Sequence, residues 1–175
     1  MTTVAVATES DFDAVVALVN SAYRGESSRA GWTTEADYLD GQRTDAATLR
    51  SDLAANPAAL LLLLRDAPDG ELLGSVWLER DSEETWYVGM LTVRPDLQDR
   101  KLGRTLLGEA ESYAAEHGAR RIKLGVVQLR DTLIAWYERR GYALTGEVLP
   151  FPYGDERFGQ PKRDDLRFLV MEKTL

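Results

Sequence analysis

Three strand-length apolar runs follow one another with only turn-sized gaps between them: Ala58–Arg65, Glu71–Arg80 and Thr85–Val93. The gaps, Asp66-Ala-Pro-Asp-Gly70 and Asp81-Ser-Glu-Glu84, are made of residues that favour tight turns. Gaps so short leave no room for a crossover, so the three runs form an antiparallel meander. The period then changes. Arg94-Pro95 breaks the third run, and Leu102, Leu106, Ala110 and Tyr113 trace one face of a helix that stops at Gly118. Ile122–Val127 reads as the next strand, and a helix joining two strands makes them a parallel pair. The expected class is α+β: a mixed, mostly antiparallel central sheet flanked by helices.

The remaining segments fit around that frame. Val4 and Val6 alternate in a short strand, and Thr8 with Asp11 forms an acidic variant of the capping box ahead of a helix through Tyr23. Thr44 is the expected cap of a second helix to about Ala55, which Asn56-Pro57 ends. A helix from Thr132 to Arg140 and strands at Tyr142–Glu147 and Leu166–Met171 complete the chain. No repeat or composition shift divides it, so residues 1–175 are expected to form one domain.

Charge and composition narrow the chemistry. Twenty-one basic against 29 acidic side chains give a net charge of −8, which argues against nucleic acid as a partner. The chain has no cysteine and a single histidine, His117, which removes thiol nucleophiles, disulfide scaffolds and Cys/His metal sites. No metal is expected. His117 lies at a helix end before Gly118, where a cation suits the dipole, and reads as structural. The N-terminus carries no signal-like pattern, and the longest apolar run, Ala58–Leu64, is too short to span a bilayer. The expectation is a cytoplasmic protein without a membrane partner.

The positive charge is local. Residues 94–140 hold ten basic against seven acidic side chains, whereas residues 1–93 hold six against sixteen. Within the basic region a strand ends at Pro95, a loop carries Gln98, Arg100, Lys101 and Gly103, and a helix starts at once. Unpaired N–H groups converge at a helix start and the dipole favours an anion there, so a phosphate fits. Gly103 would let that backbone come close, with Arg100, Lys101 and Arg104 as charged donors.

Gln98-Asp-Arg-Lys-Leu-Gly103, between the strand residues Leu91-Thr-Val93 and a Leu-rich helix, resembles the Q/R-x-x-G-x-G/A signature of the GNAT N-acetyltransferase superfamily. Leu133-Ile-Ala-Trp-Tyr-Glu-Arg-Arg-Gly-Tyr142 resembles that family's second hallmark, and the order of elements matches it from about residue 3 to 173. The resemblance implies acetyl-CoA as co-substrate. The backbone of Leu91, Thr92 and Val93 would pair with its pantetheine arm. Gln98, Asp99, Arg100, Lys101, Leu102, Gly103 and Arg104 would hold the pyrophosphate, with the hydroxyl of Thr105 in addition. Tyr137 matches the tyrosine that protonates the departing thiolate in many members; by its spacing alone it reads first as an aromatic on the buried face of a helix. Lys101 replaces the first glycine of the signature, which the loop tolerates only if that position needs no positive φ. Arg130 stands where asparagine is frequent.

The general base is less defined, because Tyr87 occupies the strand position where a glutamate often serves. Glu84, Glu26 and Glu35 are the candidates, with Glu84 placed first. For the acceptor, Glu26, Trp32, Glu35 and Tyr87 are the expected contacts, since aromatics beside carboxylates suit a cationic amine. Trp32 and Tyr38 would equally serve to pin their loop to the core. The aromatic loop around 147–165 would act either as a lid or as a dimer contact, so a homodimer is one possibility. The reading is an N-acetyltransferase acting on a primary amine of a small molecule or amino-acid-like acceptor, by direct attack in a ternary complex. The alternatives are a protein N-terminal or lysine acetyltransferase and a non-catalytic acyl-CoA-binding sensor.

Overall fold

The computed structural model describes residues 2–98, 100–155 and 159–175, and for residues 26 and 27 the backbone alone. Among the described residues the order is β1 (Thr3–Val6), α1 (Phe12–Tyr23), β2 (Leu39–Asp40), α2 (Ala46–Ala55), β3 (Ala59–Arg65), β4 (Leu72–Arg80) and β5 (Thr85–Val93). There follow α3 (Leu102–Glu116), β6 (Arg121–Val127), α4 (Asp131–Glu138), β7 (Ala143–Pro150), β8 (Gln160–Pro161) and β9 (Arg167–Thr174). The main sheet runs β1-β3-β4-β5-β6-β9-β7. Only the β5–β6 pair is parallel. The mixed, mostly antiparallel sheet expected from the sequence is therefore present.

The run Leu60–Leu64 explains how one strand can be apolar at every position. Strand side chains alternate between faces, and both faces of β3 are covered, as continuous apolar runs require. Leu62 and Leu64 pack with Leu106, Leu107 and Ala110 of α3 and Ile134 and Tyr137 of α4. Leu61 and Leu63 pack with Phe12, Val15 and Val19 of α1 and Leu49 of α2. The sheet thus lies between two helical layers.

Two local expectations change. The cap of α2 is Asp45, whose carboxylate accepts from the Thr48 N–H at 2.7 Å, rather than Thr44, whose hydroxyl lies 3.5 Å from the Asp45 carbonyl. Both residues are N-cap types, and only the backbone geometry separates them. The segment 147–165 is not structureless: β7 continues to Pro150, and Leu39 and Asp40 of β2 pair antiparallel with Pro161 and Gln160 of β8. The two long loops are thereby joined, and a third apolar cluster of Leu39, Val127, Phe151 and Leu166, with Tyr38 against it, lies beside that junction. Among the described residues no helix is long and apolar enough to cross a membrane.

Candidate active site

The site begins where β5 leaves β6. Their ladder holds only Thr85↔Arg121, Trp86↔Ile122 and Tyr87↔Lys123. Beyond Tyr87, β5 carries a bulge: Ser75 faces Thr92 and Trp77 faces Gly89, so Met90 and Leu91 together oppose Val76, and Met90 adopts φ 47°. A bulge bends its strand, and the strands part to leave a wedge-shaped gap. Side chains reach into it. The Tyr23 hydroxyl donates to the Leu91 carbonyl, and Gln98 Nε2 donates to the Val93 carbonyl at 3.1 Å. Two of the strand carbonyls expected to face pantetheine are therefore capped by the protein itself.

Two cavities open from the gap. The smaller, about 260 Å³, lies between the end of β5, the start of α3 and α4. Lys101, Arg104, Arg139 and Arg140 line it, and no carboxylate is among its described lining residues. The Arg140 guanidinium lies 4.1 Å from the centroid of the Trp136 ring. Burial, followed by the neighbouring charges of Arg104 and Arg139, holds the pKa of Arg140 below its ordinary value. Cations crowded in this way are the arrangement a polyanion would relieve. A Cβ on Gly103 would make ordinary contacts, 3.6 Å from Trp136 and 3.7 Å from Val93, so the protein itself leaves room for one there. Lys101 adopts φ 62°, ψ 14°. The position does require the left-handed conformation, and a lysine supplies it where the signature has glycine.

The larger cavity, about 410 Å³, is lined by Tyr87 and Met90 of β5, Lys123 of β6, Glu147 of β7, and Phe151 and Phe168, with Arg24, Glu35, Arg43 and Arg130 at one side. Glu35 accepts from Arg24 at 2.5 Å and from Arg130 at 3.1 Å. Burial works against its ionisation, but Arg130, Arg24 and Arg43 outweigh it and hold the carboxyl below the usual carboxylate range. A carboxylate so placed is a poor base. Tyr23, Leu91, Leu133 and Tyr137 line both cavities and mark their junction. Tyr137 packs edge-on to Trp136 and Tyr142, with ring centroids 5.2 and 5.5 Å away. Burial first, and then Tyr23, raises its pKa well above the ordinary phenol value, so the hydroxyl keeps its proton.

The expected residues divide accordingly. Leu91, Val93, Gln98, Lys101, Gly103, Arg104 and Tyr137 line the cationic cavity. Trp32, expected at the acceptor, lines it too, 6.2 Å from Trp136. Thr92 is buried, its hydroxyl donating to the Met90 carbonyl at 2.9 Å. Arg100 is exposed and absent from both linings, and Leu102 packs against the main core. The Thr105 hydroxyl turns back onto the Lys101 carbonyl at 3.3 Å, a local bond typical of helical threonine. Glu84 is the clearest departure. It precedes β5 at the end remote from the gap, lies in neither cavity and faces Arg120 at 3.5 Å. Tyr87 and Glu35, expected at the acceptor, line the larger cavity. Asp99 and the side chain of Glu26 lie outside the described residues. Sequence reasoning missed Tyr23, which reads only as the end of α1, and included Arg139 and Arg140 only within the basic count of residues 94–140.

Two cavities that meet at Tyr137, one of them strongly cationic, are the arrangement to set beside known proteins. The sequence pattern of the acetyltransferase (GNAT) family matches residues 15–142, and the chain belongs to that family. It is 36% identical over 84 residues to the mycothiol acetyltransferase of Beutenbergia cavernae, covering 48% of this chain and 28% of that one. With the mycothiol acetyltransferase of Cellulomonas flavigena it shares 30% over 119 residues, covering 61% and 33%. The matches thus span about a third or less of those relatives. A structure assigned provisionally as a phosphinothricin N-acetyltransferase superposes with a TM-score of 0.72 at 17% identity, covering 100% of this chain and 99% of that one. An acetyltransferase from Salmonella typhimurium, solved with acetyl-CoA, gives 0.68 at 20% identity, covering 100% and 94%. The ribosomal-protein-alanine N-acetyltransferase of Brucella melitensis gives 0.70 at 22%, covering 99% of each. At these identities the structural likenesses establish the fold.

Proposed function

We propose that the chain, read as one domain over residues 1–175, transfers an acetyl group from acetyl-CoA directly to a primary amine of a small, amino-acid-like acceptor. The observation that carries this reading is the meeting of the two cavities at Tyr137: one is lined by four cations with no carboxylate among its described lining residues, the other by aromatic rings together with Glu35, Glu147 and basic side chains. Lys101, Arg104, Arg139 and Arg140 hold the phosphates, assisted by main-chain N–H groups at the start of α3. The bent edge of β5 receives the pantetheine arm. Tyr23 and Gln98 already engage its Leu91 and Val93 carbonyls, so the arm draws on the strand's remaining backbone groups.

Tyr137 gives its proton to the departing thiolate, whose ordinary pKa is near 8.5. Burial keeps the phenol protonated through the neutral range, so a proton is present to donate, while the same burial weakens it as an acid. The absence of cysteine excludes an acyl-cysteine intermediate, which makes direct transfer in a ternary complex the simpler course. The amine must lose a proton, and Glu147 is our choice of acceptor for it. Glu147 lines the larger cavity from a bulged stretch of β7, and bulges re-aim side chains. Glu84 is too far, and Glu35 is held by two arginines. Tyr87, Phe151 and Phe168 offer apolar and cation–π surface to the acceptor. The mycothiol acetyltransferase relatives favour a small acceptor over a protein one.

A panel of small amines assayed for release of free coenzyme A, with calorimetry of acetyl-CoA binding, tests the reading. Tyr137→Phe should bind acetyl-CoA as the wild type does yet lose about 10²–10⁴-fold in kcat, the usual contribution of a general acid. Unchanged turnover in this variant would remove Tyr137 from the chemistry. Uptake of acetyl-CoA with no transfer to any amine or peptide would point to the sensor, and no uptake would end the reading.

A further inference from the structure

Gln98 stands where the signature places a pyrophosphate ligand, yet its carboxamide is fully engaged inside the protein. Oε1 accepts from the Trp32 N–H at 2.8 Å and the Thr33 N–H at 3.2 Å. Nε2 donates to the Thr33 hydroxyl at 2.6 Å and the Val93 carbonyl at 3.1 Å. A carboxamide has two donor hydrogens and two acceptor lone pairs, and all four are used. The amide orientation is also determined, because only nitrogen can face the Val93 carbonyl and only oxygen the two N–H groups.

The network continues beyond Thr33. Its carbonyl accepts from Arg130 Nη2 at 2.8 Å, and Arg130 Nη1 reaches Glu35 at 3.1 Å. Arg130 precedes α4, the helix that carries Tyr137. A continuous hydrogen-bonded path therefore joins the edge of β5, the turn before α3, the loop that walls both cavities, and the helix of the proposed acid. Gly31 completes the arrangement: a Cβ there would overlap Gln98 Oε1 and lie 2.6 Å from its Cδ. The carboxamide reaches the loop backbone only because residue 31 has no side chain.

We propose that Gln98 is a positioning residue: a bracket that docks residues 31–35 onto the edge of β5, so that occupation of the anion-binding turn is felt in the acceptor loop. Only the identity of that anion rests on the function proposed above; the bracket itself does not.

Amide exchange measured by NMR on the full chain, with and without coenzyme A, tests it. Gln98→Ala and Gly31→Ala should each exchange the Trp32 and Thr33 amides at least tenfold faster than wild type, with β3 and β4 still protected. Gly108→Ala, at a helical glycine with open space around its Cβ position, serves as the control and should leave both amides unchanged. In wild type, coenzyme A should slow these two amides further. In both bracket variants that effect should vanish while calorimetry still detects binding, a loss of communication that a purely structural defect would not produce. Unaltered Trp32 and Thr33 exchange in the ligand-free variants would overturn the proposal. So would a Gln98→Ala variant that loses coenzyme A binding with both amides unaltered, because Gln98 would then be the phosphate ligand the signature implies. A wild type that binds no coenzyme A would defeat the cofactor reading and the communication claim together, while the ligand-free comparison would still decide whether the bracket docks the loop.

Discussion

Lys101 shows how a single backbone angle distinguishes a family pattern from this chain. A non-glycine residue in the left-handed region costs about 1–2 kcal/mol, and Lys101 accepts that at φ 62° while adding an ammonium to the cationic cavity. Lys101→Gly should therefore fold at least as stably, gaining up to about 1 kcal/mol because glycine relieves the strain but loses more chain entropy on folding. It should also bind coenzyme A more weakly and with a shallower salt dependence. Lys101→Val, β-branched at a positive φ, should lower the melting temperature instead. Thermal melts and calorimetry at two salt concentrations check both. Spacing gave the position and the cationic character of this turn. It gave neither the φ angle nor the inward engagement of Gln98, because those depend on Gly31 and Thr33, more than sixty residues earlier in the chain.

Among the elements, the two long loops changed most between sequence and structure. Each lacks a periodic pattern, so neither shows a strand on its own, and the two-residue pairing of β2 with β8 exists only because the loops meet. Glu35 lies beneath that junction between Arg24 and Arg130. Its folded-state pKa is depressed, so an unfolded chain takes up the proton more readily. The stabilisation is then complete above the ordinary carboxylate pKa of about 4.3 and is lost as pH falls toward the lower folded value. Melting curves of wild type and Glu35→Gln should accordingly differ at neutral pH and converge as the solution is acidified below about pH 4. A gap that persists unchanged into acid would show that the carboxylate contributes nothing by its charge. The bulge at Met90 and Leu91, where β5 leaves β6, carries no signal in the residues themselves.

Across the whole molecule, the sheet is held by two apolar layers on opposite faces, with α3 and the gap between β5 and β6 on either side of the cationic turn. Leu106 is fully buried on α3 and packs with the β3 and β4 residues Leu62, Leu64, Val76 and Leu78. Leu106→Ala should cost about 2–5 kcal/mol, read as a shift of the denaturation midpoint. Because α3 also carries the cationic turn at its start, coenzyme A binding should weaken with it. Undiminished binding in a strongly destabilised variant would show that the turn is held independently of the core. The run of leucines in β3, the meander and the strand–helix–strand order were all determined by local pattern, since alternation, turn chemistry and helical spacing act over a few residues at a time. The tertiary structure alone decided which carboxylates are free, which arginines crowd one cavity and which glutamine turns inward. Charge pairing and hydrogen bonding depend on distance in space, and the sequence orders residues only along the chain.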